Sequence, residues 1–263
     1  EATLIWSTNL EGTTLIQPHL ERASLVGARL EGATLIGAHL EGAKLNGTHL
    51  EGLDLSTACL TGVHLSEAWL DRTRLSHSQL GDAIGEDLEE TYPLARQGYL
   101  LLKQNFESLG DYEGAALAYR KERRMEKLEA LHDGYAAERQ GNCLQALKHY
   151  AKAALDQLVE LVCDYGESLW RVLICLAIIW FDFALLYAIT GEVLADRGTQ
   201  YVTTRNLVDL LSFSLGTMVT IAPPGLIAYD SLLMRIAMPA QAFISIFLAG
   251  LLGFVAGNRI RRS

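Results

Sequence analysis

The sequence predicts a mixed fold in three parts: a quadrilateral parallel β-helix over residues 1–85, an α-helical connector over 86–168, and a membrane domain over 169–263. Three observations predict it. Leucine occupies every fifth position from Leu10 to Leu80, fifteen times in succession. Glycines at 110 and 141 punctuate a stretch with a weak repeat of thirty-one residues, in which Gly110, Ala115 and Tyr119 return as Gly141, Ala146 and Tyr150. Two long apolar runs near the C-terminus flank a shorter one.

A period of five fits neither a helix at about 3.6 residues per turn nor a flat strand at about 2. It fits a chain that turns a corner every five residues, so that four corners close a square and each rung takes twenty residues. Leucine and the small residue two places before it (Ala23, Ala28, Ala33, Ala38, Ala43, Ala58, Ala68) point inward, and the other three positions face water. Units such as Ala28-Arg29-Leu30-Glu31-Gly32 resemble the pentapeptide-repeat family over about residues 3–84, and the resemblance implies a right-handed quadrilateral β-helix. The chain begins inside the repeat phase, which predicts further rungs upstream, and shows no signal-peptide pattern.

A twenty-residue rung stacks Glu11, Glu31, Glu51 and Asp71 on one edge and Glu21 with Glu41 on the other. His19 stacks with His39, and Arg29 with His49. Residues 1–85 hold ten acids and five Lys or Arg. Acidic columns of this kind can imitate duplex DNA, but the small net charge and interrupting bases favour a solvated surface, with no nucleic-acid partner. The histidines lack ligands at the usual metal spacing and read as surface residues, so no metal and no cofactor is expected. Cys59, Cys143, Cys163 and Cys175 form no C-x-x-C pair and read as reduced thiols.

In the connector, Pro93 opens a helical stretch, and Gly110 and Gly141 each sit where one helix ends and the next begins. This is similar to tetratricopeptide-type helix pairs, which implies a cytosolic protein partner. The charged run Arg120-Lys121-Glu122-Arg123-Arg124 is either a solvated face with i,i+4 pairs or a contact for anionic lipid.

Half of all residues are hydrophobic although the chain carries a polar coil and a formal charge of −9, so the apolar residues are concentrated after Leu169. Residues 172–190 contain one charge, Asp182, and 236–257 contain none. Each run is long enough to cross a hydrocarbon core, which takes about 20 residues. Arg171 before the first run and Arg259, Arg261 and Arg262 after the second place both ends in the cytoplasm, with 191–235 outside. Between the spans, Leu207–Ala222 is mostly apolar, too short to span comfortably, and closed by Pro223-Pro224-Gly225. It reads as a re-entrant segment (207–225 with its filter), which needs several subunits to surround a water path.

From Tyr165 to Val255 the chain resembles the two-transmembrane pore-loop channel family, on Tyr165-Gly166-Glu167, Phe213-Ser214-Leu215, Thr217 and Thr220. The resemblance implies a homotetrameric ion channel of the bacterial inner membrane, gated by its cytosolic repeat and helical parts, with the bilayer and permeant ions as further partners. The filter departs from that family, because Ile221-Ala222-Pro223-Pro224-Gly225 stands where potassium channels carry Gly-Tyr-Gly-Asp. Proline fixes φ near about −65°, so Ile221–Pro224 should be stiff and extended, and its carbonyls cannot all face an ion. Potassium selectivity by a carbonyl cage should therefore be lost, leaving a non-selective or weakly cation-favouring path.

Three further positions stand out. Asp182 is either a gating or ion contact, or a hydrogen-bond partner of Tyr187, Ser212 or a neighbouring helix. Gly250 and Gly253, in a small-residue stripe with Ala249 and Gly257, are either a helix-packing face or a gating hinge. Gln241 lines a vestibule or pairs between subunits. The rival reading is a membrane-anchored scaffold or receptor whose hairpin only tethers and oligomerises. No G-x-S-x-G, P-loop, H-E-x-x-H or dinucleotide fingerprint is present, so no enzyme is expected.

Overall fold

The computed structural model describes residues 8–196, 198, 200–221 and 223–262, the last five in backbone only. Ala222 and residues 1–7 of the expected coil lie outside the described residues, as do the side chains of Arg259, Arg261 and Arg262. The chain divides into two compact units, Glu1–Gln157 and Leu158–Ser263.

The first unit begins with the coil. Parallel bridges join residues twenty apart, such as Arg29 with His49 and Lys44 with His64, so one rung is twenty residues. Each bridge is flanked by bonds of the same pattern: Leu30 N–H donates to His49 O at 3.1 Å, and His49 N–H to Ala28 O at 3.0 Å. Corners close three residues apart, as where Ala43 N–H donates to Leu40 O at 2.9 Å. The corner needs a left-handed residue two places after leucine. Glycine supplies it at Gly42 (φ +67°), and Arg22 adopts it at +56° on the equivalent corner. The leucines and alanines form the axis, with Leu25 to Leu55 nearly all enclosed. Thr48 and Thr73 replace the alanine and keep their buried hydroxyls satisfied on Leu25 O and Leu50 O, each at 2.7 Å.

The regular coil ends one corner before Leu80. A capping box at Ser76 starts a 3-10 turn, His77–Gln79, and Gln79 donates to Leu55 O and Ala58 O. A leucine column cut open would expose its core. Helix α1 (Gly85–Leu88) and helix α2 (Tyr92–Leu109, with Pro93 in its first turn) cover it. Ile84 is fully buried, and one core runs unbroken from Leu25 through Leu102 and Phe106 to Met125. The pattern boundary near residue 85 is thus a change of period and not a break in the core.

Helix α3 (Tyr112–Arg139) follows, capped by Asp111, whose carboxylate accepts from Gly114 N–H. Gly110 (φ +76°) and Gly141 (φ +74°) turn the chain at its two ends. Helix α4 (Cys143–Cys163) starts in this unit and ends in the next. Gly134 receives the Tyr150 ring, and Tyr150 donates to Glu138. From the charged run, Arg123 reaches the neighbouring helix α4, and the acids just after the run pair with α4 and α2. Arg123 binds Glu126 and the buried Asp156, Lys152 binds Glu126 at 2.8 Å, and Arg96 binds Glu129 at 3.1 Å.

The second unit contains two long apolar helices, α5 (Leu169–Thr190) and α7 (Leu232–Arg262, with Pro239 inside). A third, α6 (Leu207–Met218), is short. Between them lies an antiparallel sheet that the periodicity did not announce: β1 (Val193–Asp196), β2 (Tyr201–Thr203) and β3 (Leu226–Ala228), in the order β2-β1-β3.

Candidate functional site

The chain around α6 is held by three elements. Asn206 caps the helix, its side chain accepting from Val208 N–H, and Thr204 bonds both Val193 O and the Asp209 carboxylate. After α6, the chain returns to the sheet, where β3 pairs with β1 with Val193 opposite Ala228. Ser231 then donates to Glu192 at 2.6 Å and caps the turn into α7.

The side-chain anchor is a buried polar network. Gln241 of α7, fully enclosed, accepts from the Tyr187 hydroxyl of α5 at 2.7 Å and donates to Ser214 Oγ of α6 at 2.7 Å. Ser214 donates onward to Trp180 O at 2.9 Å, and Trp180 Nε1 donates to Leu211 O at 2.8 Å. Every side chain in this chain of bonds has a partner, as a buried polar group requires. Trp180 and Gln241 lie in the apolar stretches of their helices, Gln241 nine residues beyond Leu232, or ~14 Å at 1.5 Å per residue. Helix α6 therefore packs beside the middle of α5 and the first third of α7. The sequence suggested that Gln241 lines a vestibule or pairs between subunits; instead its amide is enclosed within the chain, bonded to Tyr187 and Ser214.

Beyond α6, Val219 ends the helix and Thr220 turns left-handed (φ +58°), so that Ile221 N–H donates back to Gly216 O at 2.8 Å. Gly216 is the tight point. A β-carbon there would lie 2.5 Å from Ile221 O and 2.7 Å from Pro223 Cδ. The expected stiff extension of Ile221–Pro224 is cut short. Leu226 N–H donates to Pro223 O at 3.3 Å, and Gly225 at φ +74° completes a turn with Pro224 ahead of it. Proline followed by a left-handed glycine is the chemistry of a type II turn.

Of the filter residues named from sequence, Thr217, Thr220, Ile221 and Pro223 line one open cavity of about 460 Å³ with Met238, Pro239 and Ala242 of α7. Pro224 and Gly225 lie in the turn outside it, and Ala222 is outside the described residues. Thr217 is nearly buried and bonds its own helix at Phe213 O, whereas Thr220 and Ile221 are exposed.

Asp182 is exposed on α5 and makes no hydrogen bond among the described residues. Its expected partner Tyr187 is committed to Gln241, because the two side chains project from different faces of α5. Gly250 and Gly253 are exposed, and a β-carbon at either meets nothing within 4 Å. Close packing of that stripe therefore has no partner among the described residues.

Outside this region the coil gathers metal-ligating atoms on two faces. Glu31, His49 and Glu51 converge on one, and His39, Glu41 and Cys59 on the other. The spacing hid them, because the ligands sit two residues apart along a rung and twenty apart between rungs. All four cysteines are free thiols.

Comparison with known proteins bears on the coil. The family model for pentapeptide repeats matches residues 23–62, in 8 copies. Two solved structures are similar to this part. One is a pentapeptide repeat protein from the cyanobacterium Cyanothece 51142, at 37% identity over 26% of this chain and 50% of that one, with a TM-score of 0.17. The other is a pentapeptide repeat protein from the thylakoid lumen of Arabidopsis thaliana, at 30% identity over 25% of this chain and 47% of that one, with a TM-score of 0.16. The chain spans about half the length of the solved relatives it matches. No curated protein matches it. Residues 23–62 are thus pentapeptide repeats coiled as a β-helix, in a chain that also carries two helices long and apolar enough to cross a membrane.

Proposed function

We propose that this chain is one subunit of a homotetrameric membrane pore with an altered filter, not potassium-selective and weakly cation-favouring or non-selective, gated by its repeat and helical part. The observation that carries the reading is the buried Gln241–Ser214 bond, which, with the Ser214–Trp180 bond, draws the short helix α6 alongside the apolar middle of α5 and a point nine residues inside the apolar run of α7. A loop lying beyond the bilayer surface would not need to meet the spans there.

Three features support it. Only 17% of the apolar window of α5 and 22% of that of α7 is buried, so neither is the core of a water-soluble fold. Their outward residues are apolar, including Ile174, Ile178 and Phe181 on α5 and Phe243, Phe247 and Phe254 on α7, which suits lipid as the solvent. Asp182 stands exposed at the middle of its apolar run, and Gly250 and Gly253 stand exposed in the second half of theirs, without a partner among the described residues. Further copies around an aqueous axis would give the carboxylate a polar environment and the glycines a helix to pack on. Trp170, Tyr201 and Tyr229, exposed near the ends of the apolar helices or on the sheet, suit anchoring at the membrane interface.

The test is planar-bilayer recording of the purified full chain, with its oligomeric state measured in the same detergent. Discrete conductance steps from a tetramer are expected. Tetramers that stay sealed under every stimulus would return the hairpin to the role of an anchor for a scaffold.

A further inference from the structure

We propose that the coil carries a zinc-class metal site formed by His39, Glu41 and Cys59. Their donor atoms lie within 4.8 Å of one another. His39 and Glu41 flank Leu40 on one rung, both pointing outward, and Cys59 is the bridge partner of His39 on the next rung. The ligands are therefore fixed by the backbone of two stacked rungs and not by a mobile loop. Imidazole, carboxylate and thiolate are the ligands that zinc takes, at about 2.0–2.3 Å.

The spacing separates this group from its neighbours. Two donors sharing a tetrahedral ion at those bond lengths stand roughly 3.3–3.6 Å apart. His39 Nδ1 and Glu41 Oε1 are 3.6 Å apart, too far for a hydrogen bond. The chemically identical pair one rung below, His19 and Glu21, is closed to a 2.9 Å hydrogen bond. Glu41 Oε2 is screened from solvent and has no hydrogen-bond partner, an orphan that a cation would satisfy; Glu31 Oε2 and Glu51 Oε2 of the opposite group share this, so the spacing and not the orphan tells the two groups apart.

The opposite group is less suited. Glu31 there accepts from Arg29 at 3.2 Å, and His49 Nδ1 lies 3.2 Å from Glu51, so a fixed cation and a hydrogen bond already engage the carboxylates. Among the described residues no Lys or Arg pairs with Glu41. Three protein ligands leave a fourth position for water or for a donor from a partner. This site stands independently of the pore.

The test uses the full chain in detergent, stripped of metal and titrated with zinc against a chromophoric chelator, then loaded with cobalt(II). One zinc per chain is expected at this site, with a thiolate-to-cobalt charge-transfer band. Cys59→Ser should abolish the band, and both it and His39→Ala should weaken zinc binding by more than about tenfold, a loss seen even for outer-shell changes. His49→Ala should change neither. These side chains face outward, so circular dichroism should confirm that each variant is folded. Equal zinc affinity in wild type and Cys59→Ser, or a cobalt spectrum without the thiolate band, would overturn the site.

Discussion

Gln241 Nε2 lies 2.7 Å from Ser214 Oγ, and through that contact the last long helix holds the short one. The same amide accepts from Tyr187, so one side chain ties three helices. Gln241→Leu should take the acceptor from the Tyr187 hydroxyl and leave Ser214 Oγ with only its bond to Trp180 O, lowering the stability of the helical hairpin by about 1–2 kcal/mol, the upper range for such bonds between membrane helices. Denaturation in mixed micelles measures it. An unchanged midpoint would mean that apolar packing alone seats α6.

Glu86 serves the other unit in a comparable way. Its Oε1 accepts from Leu65 N–H at 2.8 Å, Ser66 N–H at 2.7 Å and Asn46 Nδ2 at 3.1 Å, closing backbone donors where the coil meets the helices. Glu86→Ala should cost about 1–3 kcal/mol or more, since it leaves buried donors unpaired. Glu86→Gln keeps a carbonyl acceptor and should cost less. Chemical denaturation of the two variants side by side checks the order.

Gly216 tests the loop after α6. Gly216→Ala places a methyl group 2.5 Å from Ile221 O, so that loop must move. Conductance or ion preference should change while helix content does not. A variant with wild-type currents would remove the loop from the conduction path.

The Glu126 carboxyl is held below its ordinary value, first by its hydrogen bond to Lys152 and further by Arg123. An acid whose folded pKa is depressed adds stability above its unfolded value of 4.5, and that stability fades as pH falls through the lower folded value. Lys152→Met should therefore destabilise the helices at pH 7 by roughly 0.2–1 kcal/mol, the range for a pair with one exposed partner. The difference should vanish in acid below the ordinary carboxylate range. Melting curves across that range would show the gap closing, and a gap independent of pH would assign the loss to packing.

The coil was legible in the sequence because its rule is local. One leucine in five sets the corner, and twenty residues set the stack, so the His19–His39 pairing at 4.8 Å followed from arithmetic. Helix limits near Pro93, Gly110 and Gly141 were legible for the same reason. What the sequence hid depends on contacts between distant residues. Gln241 meets Tyr187 across fifty-four positions, and Glu86 reaches back twenty to Ser66. The three-stranded sheet was hidden too, since strands of three or four residues carry too little alternation to read. Asp182 was legible as the one charge within an apolar run, and it is exposed with no hydrogen bond among the described residues.

The most direct test of the pore is the reversal potential of reconstituted full chain across asymmetric salt. The expected result is a conductance whose reversal potential stays close to zero, with at most a modest shift toward the cation value and little discrimination between sodium and potassium. A reversal potential at the potassium equilibrium value would contradict the altered filter, and a silent bilayer containing assembled tetramers would contradict the pore itself.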